Sequence, residues 1–120
     1  MAATPVAHRG KVWAVNVMLM DKDYSNSSYI YNDIFRKLNN KESFVLSYGH
    51  SITEENLKKT RRTIVDGGVF YSCFHQAENG KVYNDRVVTL GISYYSYVDC
   101  FSVWMRYINE KAKPKGYNYL

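Results

Sequence analysis

Four cationic side chains fall within five residues at Lys58, Lys59, Arg61 and Arg62, in the run "LKKTRRTIVDGG" at residues 57–68. Such a cluster either meets an anionic partner or completes a helix end with the charges its dipole favours. Read as one helix over residues 51–65, the segment has Ser51 and Glu54 at capping-box spacing and Gly67-Gly68 as its stop. Glu54–Lys58 and Glu55–Lys59 are then pairs in the favourable i,i+4 order, which answers the lysines inside the helix. Arg61 and Arg62 have no acid three or four positions earlier. Their planar forks suit phosphate or carboxylate, so they are expected to carry more of any binding than Lys58 and Lys59. Lys113 and Lys115 form a second basic segment, followed by Tyr117 and Tyr119. Lysines interleaved with aromatics are the composition that holds a single strand by phosphate contact and base stacking.

The stacking candidates come from a hairpin. Asn79-Gly80 is a type I′ turn signal, because both central residues of that turn need positive φ. With no bulge, the turn pairs Tyr71 with Val88 and His75 with Asn84. Val69, Tyr71 and Cys73 then share the core face with Val88, Leu90 and Ile92. Phe70, Phe74 and Tyr83 project from the other face among polar neighbours, as a nucleobase platform would. The octamer "GGVFYSCF" lacks the basic first residue and small fourth residue of an RNA-recognition motif, so no such assignment is made.

Acid–base chemistry has three histidines to draw on. His50 precedes a helix in "YGHS", His75 lies two residues from Cys73 on one strand face, and His8 sits beside Arg9. A metal-free nuclease would combine His50 or His75 with Arg61 or Arg62, but no nucleophile–base–orienter set is legible. "DKDYSN" opens like a calcium loop and then places Asn26 and Asn32 where glycine and glutamate belong. No metal and no cofactor is expected.

These residues must be positioned by a chain of 120 residues, carrying a net charge of +5. That length suits a single domain over 1–120. The two cysteines make neither a disulfide framework nor a zinc motif. Neither a signal-peptide run nor an 18-residue apolar stretch is present, so an intracellular, cytoplasmic protein with no membrane partner is expected. Residues 1–10 read as an irregular arm and residues 11–20 as a central strand. A helix follows from near Ser28 to Asn39, with a short strand over residues 43–48. After the basic helix come strands over 69–76 and 81–95. A last helix opens at Ser96 with Val98, Phe101, Met105 and Ile108 as its apolar face, and residues 114–120 form a tail. The expected fold is α+β, a mixed or antiparallel sheet of about four strands with three helices in the order β-α-β-α-β-β-α.

Charge and aromatics together point to a small non-enzymatic nucleic-acid-binding accessory domain, gripping the backbone of RNA or DNA. The alternative is a protein-interaction module, such as a virus- or phage-encoded inhibitor, whose tyrosines anchor it to an acidic protein partner or in a homodimer. The nuclease stands third. Under the first two readings, His50→Ala and His75→Ala each leave the molecular activity largely intact.

Overall fold

The computed structural model describes residues 2–115. Its elements run β1 (Ala2–His8), β2 (Lys11–Asp21), α1 (Tyr24–Asn39), β3 (Phe44–Tyr48), α2 (Leu57–Val65), β4 (Phe70–Glu78), β5 (Lys81–Tyr95) and β6 (Cys100–Asn109). All six strands form one antiparallel sheet in the order β1-β2-β6-β5-β4-β3. Both helices pack on the same face of it. Tyr31, Phe35 and Leu38 of α1 and Ile64 of α2 share a core with Phe74, Val88, Leu90, Ile92, Phe101 and Val103.

The fold remains α+β and a single compact domain, but six strands and two helices replace the expected four and three. Both differences lie near the chain ends. Residues 1–10 are no arm: β1 pairs with β2 through Arg9 and Gly10, whose φ values of 51° and 77° repeat those of Asn79 and Gly80 at the β4–β5 turn. Asn-Gly advertises that geometry, whereas arginine rarely adopts a positive φ, so only the second hairpin was legible.

The expected last helix is β6. Phe101 and Met105 do face the helices, but with Val103 between them and Tyr107 next, in a period of two. Ile108 belongs to the opposite face, where it packs on Trp13 and Ala14. A strand apolar on both faces satisfies a helical stripe by accident. Its Phe, Val, Trp, Tyr and Ile content favours the pleated form.

The β4–β5 register decides the faces. Next to the turn, Glu78 pairs with Lys81 and Gln76 with Tyr83, as expected. Then His75 pairs with Val87, leaving Asn84, Asp85 and Arg86 as extra residues on β5. An odd number of extra residues swaps the parity of every later pair. Phe70 and Phe74 therefore face Ile92 and Val88 under the helices, and Tyr71 and Cys73 turn to the other side.

Helix α2 starts at Leu57, six residues later than expected. Asn32 of α1 takes Ile52 first: its Nδ2 donates to the Ile52 carbonyl and its Oδ1 accepts from the Ile52 amide, both at 2.7 Å. That clamp holds the Ser51 region as loop, buries Ile52, and cancels the Ser51–Glu54 capping box. In its place Thr53 and Asn56 bond each other's backbone amides ahead of the helix. The other end closes as anticipated, with the Gly67 amide donating to Ile64 and the Gly68 amide to Thr63.

Replacing Asn32 with Ala removes both bonds and leaves the Ile52 amide and carbonyl without their partner. The cost should be about 1–3 kcal/mol. Thermal unfolding should show a melting temperature lower by roughly 5–15 °C. A change of under two degrees would mean that the clamp is dispensable.

Candidate functional site

The basic cluster is exposed but divided. Lys58, Arg61 and Arg62 line one shallow groove of about 420 Å³ on α2, together with Val65 and Asp66. Lys59 points elsewhere and lines a separate groove with His50, Asn56 and Phe70. The guanidinium of Arg61 sits 6.0 Å from the Phe101 ring centroid. No acid occupies the first turn of α2, and among the described residues no ion pair joins Glu54 to Lys58 or Glu55 to Lys59. The expected contrast between answered lysines and unanswered arginines therefore lapses. The contrast that replaces it sets Lys58, Arg61 and Arg62 against Lys59. Lys113, which bridges to Glu110 at 3.6 Å, and Lys115 follow β6 at the end of the sheet remote from Phe101. The two basic segments do not merge. Tyr117 and Tyr119 lie outside the described residues.

The three stacking candidates do not form one exposed row. Phe74 is fully buried, and Phe70 packs edge-on to Tyr31 and His50 at 5.4 and 5.0 Å. Tyr83 already carries Arg86 at 4.4 Å and Lys81 at 5.0 Å over its ring. The nuclease set fares no better. His50 lies beside Lys59, and His75 sits on the opposite face of the sheet, paired with Val87, its Nδ1 buried with no hydrogen-bond partner among the described residues. Burial pushes the Cys73 thiol up, which keeps it protonated and poorly nucleophilic. No group of three or more metal-ligating side chains occurs among the described residues.

The side chains that do converge stand on the sheet face away from the helices. Three rows cross it. Met18, Trp104, Gly91 and Tyr71 form one; Asn16, Arg106, Thr89, Cys73 and Tyr48 the next; Ala14, Ile108, Val87, His75 and Val45 the third. Among the described residues no helix covers this face, and a groove of about 450 Å³ runs across it between Tyr48, Tyr71, Trp104 and Arg106.

Gly91 explains the shape of this platform. A Cβ built there would lie 2.1, 2.3 and 2.7 Å from three successive ring carbons of Trp104, distances met when a ring is approached through its face. The indole therefore lies flat across the Gly91 backbone, and its second face looks away from the sheet. Glycine normally weakens a strand interior, and here it admits a close approach. Across β5, Tyr71 is 43% exposed and meets Tyr48 edge-on at 5.4 Å. Burial, then the neighbouring Tyr71 hydroxyl, holds the Tyr48 phenol well above its usual range, so that ring stays neutral. Arg106 stands on β6 in the row next to Trp104, its Nε donating to Asn16 Oδ1 at 2.6 Å. Sequence reasoning missed Trp104 and Arg106 because it read residues 96–113 as helix, and Tyr71 because the unbulged register set it on the core face. The signal was the alternation Ser102, Trp104, Arg106, Ile108.

Searches of protein-family models, of curated proteins and of solved structures returned no match to this chain. No helix among the described residues is long and apolar enough to cross a membrane.

Gly91→Ala should dislodge the indole while preserving the sheet, since only a flexible side chain stands in the way of the methyl group. In a Trp13→Phe background, which leaves Trp104 as the sole tryptophan, its emission should shift to longer wavelength. Unchanged emission would mean that the ring does not rest on Gly91.

Proposed function

We propose that this protein binds single-stranded nucleic acid on the open face of its sheet. The observation that carries this reading is the half-buried Trp104 indole, which lies flat on Gly91 and lines the groove of this face with Tyr71 from the next strand. Adjacent strands are about 4.8 Å apart, so an indole lying over Gly91 stands about one strand spacing from Tyr71, and the two side chains make one aromatic surface on which bases can stack. Arg106, Asn16 and Thr89 supply donors and acceptors in the next row. The net charge of +5 favours an anionic partner. Binding on this surface relies on stacking as well as on phosphate contact, unlike the backbone grip expected from the basic helix alone.

A protein partner is the second reading. Its particular support is Met18 and Met20, 43% and 41% exposed beside Trp104. Tryptophan, tyrosine, methionine and arginine are the types enriched at protein interfaces. Recovery of one stoichiometric protein in a pull-down that survives nuclease treatment would favour it.

The decisive measurement is titration of the Trp13→Phe protein with RNA and DNA oligonucleotides at low ionic strength, followed by Trp104 fluorescence. Quenching is expected on binding. Trp104→Ala and Tyr71→Ala should each weaken binding by roughly 5- to 150-fold, the equivalent of ~1–3 kcal/mol per stacked base. If no oligonucleotide binds, or if neither substitution matters, the proposal fails.

A further inference from the structure

The open face and the basic groove of α2 lie on opposite sides of the sheet, yet they meet at one corner. Val69 lines the open-face groove beside Tyr71, and Val65 and Asp66 line the groove of Lys58, Arg61 and Arg62. Only Gly67 and Gly68 separate Asp66 from Val69. Three peptide units span no more than about 11 Å, so the grooves are neighbours around the start of β4. The corner is also held in shape. Gly67 and Gly68 close α2 through bonds to Ile64 and Thr63, and a Cβ at Gly68 would meet Thr63 at 2.8 Å. Val65 and Val69 are 42% and 47% exposed there, giving a low, uncharged shoulder between the aromatic face and the cations.

We infer that a single strand held on Trp104 and Tyr71 continues over the Gly67-Gly68 corner and sets its phosphates on Lys58, Arg61 and Arg62. This rests on the single-strand reading of the open face and adds a direction to it. The chemistry divides cleanly between the two surfaces. The open face offers rings and hydrogen-bonding side chains that match bases, whereas the α2 groove offers three cations, with Asp66 as the acid beside them, and no ring among its lining. The continuation is therefore recognised as backbone alone. Lys59, one residue from Lys58 but turned toward His50, takes no part.

A thymidine tetranucleotide, and the same tetranucleotide extended at its 5′ or 3′ side by abasic sugar-phosphates, separates the two surfaces. The extension adds charge without adding bases, so it creates no new stacking register. One of the two extended ligands should bind wild-type protein about tenfold or more tightly than the tetranucleotide. Three phosphate contacts should also steepen its log–log salt dependence by roughly 2. Lys58→Ala/Arg61→Ala/Arg62→Ala should remove that gain while tetranucleotide affinity stays within about twofold, because charges beyond a Debye length of about 8 Å are largely screened at physiological salt. Lys59→Ala should preserve the gain. The inference is overturned if neither extension helps, if the triple variant weakens both ligands alike, or if Lys59→Ala matches it. Failure of the open-face reading shows separately, as tetranucleotide binding that is absent or indifferent to Trp104→Leu.

Discussion

Three extra residues on β5 decide what this protein presents to its surroundings. Had Asn84, Asp85 and Arg86 been paired one-to-one with β4, the Asn79-Gly80 turn would have set Tyr71 and Cys73 on the core face with Val88, Leu90 and Ile92 and left Phe70 and Phe74 outside. With the three bulged out, every pair from His75–Val87 onward has the opposite parity. The bulge has its own support. The Glu110 amide donates to the Asp85 carbonyl at 2.7 Å, and Arg86 lies against the Tyr83 ring. Tyr107 donates to Gln76 at 2.7 Å where the two registers join. Bulges bend and twist a strand, and the irregular stretch is confined to the turn end, so the remaining pairs stay regular.

Once parity is set, the two layers follow. Ser72 faces the helices and would be an isolated hydroxyl in the core, but Tyr31 meets it at 2.6 Å. Burial raises the Tyr31 phenol to about 12, so the ring remains a neutral partner at any ordinary pH. That pair ties the middle of α1 to β4, and the Asn32–Ile52 bonds one residue further on tie the same turn to the loop before α2. One helical turn thus positions both the second helix and the sheet. The basic groove lies on the helix so placed, with Lys58, Arg61 and Arg62 on α2 just ahead of the Gly67-Gly68 stop.

Two helices leave the second face of a six-stranded sheet to other means. Antiparallel sheets tolerate one solvated face, usually a polar one. Here that face mixes Asn16, Thr89 and Arg106 with Trp104, Tyr71, Tyr48 and Met18. The indole covers the glycine gap in β5 and also lines the groove on that face, so one side chain both packs the sheet and shapes its surface.

Much of the chain's local structure was determined by its sequence alone. The stop at Gly67-Gly68, the turn at Asn79-Gly80, the end of α1 near Asn39 and the exposure of the basic cluster all depend on residues within one turn of one another. The strand β6 was not legible, because a segment apolar on both faces satisfies periods of 2 and 3.6 alike, and only its neighbours β2 and β5 choose between them. The first hairpin was hidden by an arginine in a conformation that arginine seldom adopts. The start of α2 depended on an asparagine twenty residues earlier in the chain. The identity of the platform was furthest from reach. A turn signal sets the first few pairs of a hairpin, but a bulge beyond it is stabilised by contacts with β6, and those exist only after the sheet has assembled. Local chemistry therefore specified which segments could bend, stop or carry charge, and tertiary pairing alone decided which aromatic rings were buried and which were displayed.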